Sequence, residues 1–558
     1  TPVLTLNHAT PITTEMYWPL ALSRAIAGLP QRHSHLALMF HSKISIMKII
    51  NIKNIALFVG LLCTIPLFNS CTKLKEPLYS QLGNDNFLKT EGEIVSALGA
   101  AYSGLREFQG FGNLWTIYCT TDEVAIVGRT GGDWAGDGQD QQMTDHKWIS
   151  NNRFFAGTWQ SFYGQINICN RLIYQLEQID AEKYKTYISE IKTVRALWYL
   201  WLIDEWGNVP IVDKFDVPKD YLPKTSTRLE VYNFIEKEVK DNLANLSKDI
   251  NTNTYGRATY WMAQSILAKL YLNAGVYSGT PQWQKAIDAT NEIIGSNEFS
   301  LTANYKDNFI AQNQNSTEAI FAIPFDETYT QWTWFLPLIS LHPSHVQTFS
   351  LTQQPWNGLS AQTEFFNLYE DNDIRKTDNL LWGPQYTANG DKLLDPGYEK
   401  DPAIDGDPWV NLTPTFISLY NTARQSGARI IKWEVEKGSN GFLNSDFFVF
   451  RYSDILLMKA EAMWRLDPTN TTSLQIVNQF RQRAGVAPFN SLDAEKIMNE
   501  RGRELFMEGW RRSDKIRFGR HNDPTIFKPY TDEAFRQLYP IPKEQLDANP
   551  NLIQNPGY

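Results

Sequence analysis

The sequence predicts a mostly α-helical protein whose helices pair and stack into a curved array, broken by one long loop-rich insert. Three observations carry this. From about residue 90 onward, apolar residues recur three and four apart, the period of a helix with one buried face. Two consecutive periodic segments, 259–274 and 283–294, carry small residues on the faces that would meet, and such pairs bury themselves only by stacking. Between residues 300 and 450 the period weakens and Gly, Pro, Asn, Asp and Trp become frequent, as in Pro355-Trp356-Asn357-Gly358.

The N-terminal part stands apart from that array. Residues 1–46 carry four of the eight histidines (His8, His33, His35 and His41) without a targeting pattern, and are read as an upstream extension outside the fold. Residues 47–70 run from Met47 through Lys48 and Lys53 into an apolar stretch ending at Phe68, then Asn69 and Ser70, which describes a secretory signal peptide. The stretch is short for a membrane span. With Cys71 next, the expected product is a lipoprotein tethered through that cysteine. Each buried acyl CH₂ contributes about 0.8 kcal/mol, so two or more chains make the tether effectively permanent. The mature chain, 71–558, reads as a single domain. Once Cys63 leaves with the signal and Cys71 is lipidated, Cys119 and Cys169 remain; one bridge or two buried free thiols are both open, and free thiols are favoured. The net charge of -9 repels a nucleic-acid backbone, which excludes it as a partner.

The helices follow in order. Residues 91–108 place Ile94, Leu98, Ala101 and Leu105 on one face, and 155–178 do the same with Trp159, Phe162, Ile166 and Ile173. Residues 181–205 carry Ile188, Ile191, Val194 and Trp198 and stop before Gly207 and Pro210, a C-terminal signal. Leu229, Tyr232, Ile235, Val239 and Leu243 define 228–246. The pair 259–274 and 283–294, with Ala263, Ala268, Ala286 and Ala289 on its close faces and Trp283 opening its second helix, is similar to a tetratricopeptide unit. Residues 452–466 and 472–484 form another such pair. Trp159, Trp198, Trp206, Trp261 and Trp283 lie in or beside these segments and are expected in the core. Glu500, Arg501, Glu504, Glu508 and Arg511 lie at helical spacing and are read as a structural ion-pair network. Helical repeats thus span about 91–300 and 445–517, with the insert at about 300–450 and a second loop segment at 120–152.

Short motifs stand in a fixed order along this chain: Pro77, Phe87, Thr90, Glu91 and Tyr102; Arg195-Ala196-Leu197-Trp198-Tyr199 followed by Trp206-Gly207-Asn208-Val209-Pro210; Gly256-Arg257-Ala258-Thr259. Arg451-Tyr452-Ser453-Asp454, then Arg481-Gln482-Arg483-Ala484-Gly485, and a tail from Pro540-Ile541-Pro542 to Asn555-Pro556-Gly557-Tyr558 complete the series. Together they resemble the SusD/RagB family of nutrient-binding outer-membrane lipoproteins over nearly the whole mature chain. The resemblance implies a mostly α fold: an α-α superhelix of about four tetratricopeptide-like helix pairs, with an irregular loop-rich ligand-binding region packed on one side. It implies as partner a SusC-like TonB-dependent outer-membrane barrel, over which the lipoprotein sits as a lid. It also implies a place on the cell outer membrane, lipid-anchored and facing the exterior.

A sugar receptor needs flat rings for C–H faces and carboxylates, amides or Arg for hydroxyls, and rings give contact area at low entropic cost. Loop 129–140 supplies Arg129, Asp133, Trp134 and Asp137 among turn-forming glycines, and the resemblance puts ligand contacts on this loop. Residues 329–357 supply Tyr329, Trp332, Trp334, Trp356 and Asn357. Trp332 and Trp334 alternate, so an extended segment would turn both to one side, where core and ligand compete for them. Asp133, Asp137, Asp140, Asp371 and Asp373 offer oxygens to calcium, but the twelve-residue ligand pattern is missing; they are read as solvated turn carboxylates and no cofactor is expected. His342 and His345 lack the helical zinc-protease arrangement. Asp122 and Glu123 are adjacent, whereas a glycosidase pair holds its carboxylates roughly 5 to 9.5 Å apart. The expected function is capture of oligosaccharide or polysaccharide and delivery to the barrel, without chemistry on the ligand. Peptide binding on the same scaffold and a surface glycosidase are the alternatives.

Overall fold

Capped helices form where the apolar period predicts them. In this computed structural model the described residues are 88, 90–110, 112–397 and 408–558, all within one compact unit, Leu78–Tyr558. The expected extension, signal peptide and lipidated Cys71 lie outside the described residues. Helix α1 (Glu91–Gly104) begins at Thr90, whose hydroxyl accepts the Glu93 N–H while Glu93 reaches back to Thr90. Helix α2 (Arg153–Asp180) starts from an Asn152 cap, and α3 (Lys185–Glu205) begins later than expected because residues 181–184 form a turn. Thr227 and Glu230 cap α4 (Arg228–Asn242), whose last expected turn is the 3₁₀ segment Leu243–Asn245. Then come α5 (Tyr260–Leu272), α6 (Trp283–Gly295), α7 (Tyr452–Leu466), α8 (Thr471–Arg483), α9 (Ala494–Glu504) and α10 (Arg511–Arg517).

The fold is mostly helical, as expected. Neighbours in sequence pack as neighbours in space: α2 on α3, α3 on α4, α5 on α6 and α7 on α8. The junction that matters is α6 against α7, because it closes the helical array across the 300–450 insert. Trp159, Trp198, Trp206 and Trp261 are buried; Trp283 is half-buried under the Arg465 guanidinium at 5.3 Å. Cys119 and Cys169 are both free, and burial pushes the Cys169 thiol up to about 12.

Short antiparallel ladders fix the insert. Strand β1 (Val124–Ile126) pairs with β3 (Leu359–Ala361), and β2 (Ala319–Ile323) pairs with β8 (Phe447–Arg451). Strand β4 (Leu380–Leu381) pairs with β7 (Arg429–Ile430), and β5 (Gly383–Pro384) with β6 (Asn411–Leu412). The β2–β8 ladder ties the start of the insert to its end and delivers the chain straight into α7.

Buried ion pairs lock these parts together. Arg451, at the end of β8, meets Glu318 at 3.0 Å, Glu504 at 2.8 Å and Glu508 at 2.7 Å, all without exposure to water beyond a trace at Glu508. Glu504 also takes Arg483 at 2.5 Å and Arg375 at 3.1 Å, while Glu500 takes Arg375 at 2.8 Å and Arg503 at 2.6 Å. The network read from the sequence is therefore present. Its bonds run mainly between elements, because α9 ends at Glu504 and most partners lie far off in sequence.

Removing one member leaves its partners buried and unpaired, which costs about 3–5 kcal/mol. Arg451→Met should lower the unfolding free energy from urea titration by that amount, whereas an exposed pair such as Lys543–Asp547, 2.9 Å apart, should contribute under about 1 kcal/mol. Burial alone would raise Glu318 and Glu500, but Arg451 with Arg483, and Arg375 with Arg503, outweigh it and hold each carboxyl at about 2. An acid held below its unfolded value of about 4.3 adds stability that is complete above that value and is lost as pH falls toward 2. The urea midpoint should therefore drop between about pH 4.5 and pH 2, and Glu500→Gln should flatten the drop. An identical slope in that variant would contradict the assignment.

Candidate functional site

The pairing of β1 with β3 decides where the site lies. Val124 faces Ala361 and Ile126 faces Leu359, so the chain leaving β1 toward Arg129 and the chain arriving at β3 from Trp356 emerge at one end of the ladder. Trp134 and Trp356, 222 residues apart, meet there: the Trp134 indole N–H donates to the Trp356 carbonyl at 2.6 Å. The Trp134 ring lies on Gly358, where an added Cβ would stand 2.6 Å from the ring, so only glycine leaves the space. Trp332 stacks on Trp356 with ring centres 6.1 Å apart and planes 12° apart, and meets Phe442 edge-on at 5.2 Å.

These rings face water to different degrees. Trp332 is 57% exposed and Tyr329 88% exposed; Trp134 and Trp356 are half-buried with one side on the core. Tyr329 is turned outward by Asp326, whose carboxylate accepts the N–H groups of Thr328 and Tyr329 at 2.8 and 2.9 Å. Trp134, Trp332 and Asn357 take left-handed backbone with φ of 58°, 68° and 61°. At each of the two tryptophans this costs about 1–2 kcal/mol, whereas asparagine tolerates it more readily. Strain of this kind persists where the surroundings over-determine the chain, and it gathers at ligand sites.

Three residues expected to face ligand are interior instead. Trp334 is buried against Phe325, Trp433 and Phe447; the left-handed turn at Trp332 ends any extended alternation, so the two tryptophans do not share a side. Arg129 is buried, donating from Nε to the Asn357 carbonyl at 2.9 Å, from Nη1 to the Ser426 carbonyl at 2.7 Å and from Nη2 to the Ser360 hydroxyl at 2.8 Å. Asn357 is buried too: Arg429 donates to its Oδ1 at 2.7 Å, and its Nδ2 donates to the Arg424 carbonyl at 2.9 Å. Arg129 and Asn357 form the underside of the surface. They fix the backbone that presents the Trp356 carbonyl to Trp134.

Asp133 and Asp137 are part-exposed, whereas Asp140 and Asp373, expected as solvated turn carboxylates, are buried against arginines. Asp133 pairs with Arg424 at 2.8 Å, and Arg424 grips Asp395 at 2.7 Å. Arg153 holds both oxygens of Asp137 at 2.9 Å and reaches Asp140 at 2.7 Å. Asp371 pairs with Lys376 at 3.0 Å and Asp373 with Arg375 at 2.8 Å, so each carboxylate considered for calcium meets a cation. Among the described residues no three His, Cys, Asp or Glu side chains are grouped to hold a metal ion. His342 is buried on Asp395 at 3.2 Å, and burial lowers its ring to about 4, which keeps it neutral with Nδ1 accepting the Ser344 N–H. Asp122 is clasped by Arg511 and Lys515 at 2.8 and 3.0 Å. Glu123 is buried, which pushes its carboxyl up to about 8, with one oxygen on the Met507 N–H.

Gly358, Phe442 and Arg424 were missed by sequence reading. Gly358 carried a signal, standing directly after Trp356 and Asn357. Arg424 and Phe442 carried none: they lie in aperiodic segments, and Arg424 meets Asp133 across 291 residues.

Comparison with known proteins agrees with this architecture. The model for the SusD family matches residues 276–558, and a second, described as starch-binding associating with outer membrane, matches residues 120–272. The starch-binding protein SusD of Bacteroides thetaiotaomicron is 24% identical over 465 residues, covering 76% of this chain and 82% of that protein. SusD-like protein P38 of Formosa agariphila is 24% identical over 553 residues, covering 91% of this chain and 99% of its own. Among solved structures, surface glycan-binding protein A from Bacteroides thetaiotaomicron in complex with laminarihexaose superposes with a TM-score of 0.67 at 22% identity, over 83% of this chain and 99% of that one.

Replacing Gly358 tests how the surface is assembled. Gly358→Ala should dislodge the Trp134 ring and change the near-ultraviolet circular dichroism of the tryptophans while the far-ultraviolet spectrum stays unchanged. An unaltered near-ultraviolet spectrum would contradict the packing of Trp134 on this glycine.

Proposed function

The chain belongs to the SusD family, and from that membership we propose that it is a glycan-binding lipoprotein of the outer membrane. It binds oligosaccharide or polysaccharide at the cell surface and delivers it to a SusC-like TonB-dependent transporter, without chemistry on the ligand. The observation that carries this reading is the convergence of Trp134, Trp332 and Trp356 on one part-exposed, backbone-strained surface. Outward rings offer the apolar face a sugar needs. Asp133 and Asp137, with side chains 43% and 53% exposed, supply acceptors for hydroxyls at the rim.

Relatives support the ligand class, since one is a starch-binding protein and a structural neighbour holds laminarihexaose. A single shallow site holds weakly; repeated sugars rebind locally and raise retention by avidity. The tether is assigned to Cys71, and no helix among the described residues is long and apolar enough to cross a membrane. A non-catalytic role is supported by the carboxylates themselves. Asp122 is locked by two cations and Glu123 lies in the interior.

Trp332→Ala and Trp356→Ala should each weaken binding of a linear glucan about tenfold by titration calorimetry, the equivalent of about 1.4 kcal/mol. Trp332→Ala should leave the melting temperature unchanged. Wild-type affinity in both variants, or binding of a peptide panel with none of a polysaccharide panel, would overturn the glycan reading. Release of reducing sugar by the purified protein would overturn the non-catalytic one.

A further inference from the structure

Strand β1 has a second face. Val124 and Ile126 pack into the main core, but Ala125 and Val127 alternate to the other side and join Leu419 and Phe527 in a small separate core. Phe416 meets Phe527 edge-on with ring centres 5.1 Å apart, which sets segment 416–420 beside segment 526–530. Outside this core stand Ile417, Tyr420, Ile526 and Tyr530, all exposed, Ile417 by 68% and Tyr420 by 47%. Exposed apolar residues scattered singly need no explanation, whereas a group drawn together on one face marks an interaction surface.

The two rings of this patch are fixed. The Tyr420 hydroxyl donates to the Asp145 carboxylate and the Tyr530 hydroxyl to the Asp145 carbonyl, both at 2.6 Å. Asp145 is itself buried, and Lys147 pairs with its carboxylate at 2.9 Å. A ring tied down by its hydroxyl has given up its rotamer freedom before any ligand arrives, so contact with its face costs little further entropy.

Its position selects the occupant. The chain leaving β1 runs alongside 419–422: the Gly128 N–H donates to the Leu419 carbonyl at 2.9 Å and the Thr130 N–H to the Thr422 carbonyl at 3.0 Å. The Tyr420 backbone lies so close that a Cβ on Gly128 would stand 2.2 Å from its carbonyl oxygen. The Arg129 N–H in turn donates to the Asp133 carbonyl at 2.7 Å, and Trp134 is the next residue. Through these contacts the Cα atoms of Tyr420 and Trp134 lie within about 20 Å, a span of a few sugar units. A polymer lying on Trp332 and Trp134 that continues past Asp133 therefore runs over Tyr420.

We propose that Tyr420 and Tyr530 form a second contact for the same glycan, taking sugar units beyond those held by the indoles; this rests on the glycan reading above. The test is titration calorimetry with linear gluco-oligosaccharides of three and eight units, in the β-1,3 and the α-1,4 series. Wild type should bind the longer chain more tightly. Tyr420→Ala should weaken the eight-unit chain about threefold and leave the three-unit chain unchanged, whereas Trp332→Ala should weaken both. Tyr420→Phe keeps the ring and should bind the longer chain more tightly than Tyr420→Ala does. An unchanged eight-unit affinity in Tyr420→Ala overturns the second contact, leaves the patch to a protein partner and leaves the indole site standing. Equal losses at both lengths overturn it too, since a patch that only supported the Trp134 loop would give them. If neither length binds wild type in either series, the glycan reading falls and this contact with it. Tyr530→Ala carries the same comparison if Tyr420→Ala fails to fold.

Discussion

Arg451 stands where β8 becomes α7, and it meets Glu318, Glu504 and Glu508 in the interior. Each of these carboxylates comes from a different stretch of chain, so one guanidinium registers the edge of the insert, the α9 helix and the segment after it. Burying such charges offers little net stability over a well-packed apolar core, but leaving any one unpaired is expensive. The consequence is a strong penalty on every misregistered arrangement. The insert can then be irregular in backbone and still hold one conformation, which an open aromatic surface requires.

Two further clusters extend that logic along the same C-terminal helices. Asp454 pairs with Lys269 at 2.6 Å and Arg501 at 3.1 Å, joining α7 to α5 and α9; Asp514 pairs with Arg501 at 2.9 Å and Arg517 at 2.7 Å. Asp122, two residues before the first of β1, is drawn to Arg511 and Lys515 of α10. The loop bearing Trp134 is thereby anchored to the helical array at one end. At its other side it rests on the buried arginine–asparagine support formed by Arg129, Arg429 and Asn357. Rigid support on both sides is what allows strained residues such as Trp134 and Trp332 to persist.

Periodicity made the helices legible. Residues 452–466 were placed to the residue, and α5, α6 and α8 within two, because long amphipathic segments carry a repeating signal. The site was legible in its residue types only in part. Trp134, Trp332, Trp356 and Tyr329 do reach the surface. Arg129, Trp334 and Asn357 do not: the left-handed residue at Trp332 breaks its alternation with Trp334, while Arg129 and Asn357 are held inside by partners distant in sequence, and spacing carries no sign of either. The convergence of the two loops was also hidden. It depends on three-residue strands, too short to alternate, and on the pairing of Trp134 with a carbonyl more than two hundred residues away.

Capture of sugar by this protein depends on its water-facing rings. A crystal structure with a linear gluco-oligosaccharide of six units would decide it. Sugar rings should lie flat over Trp332 and against Trp134 or Trp356, with ring atoms within about 4 Å of the indoles. Ordered oligosaccharide bound elsewhere, with those indoles bare, would contradict it.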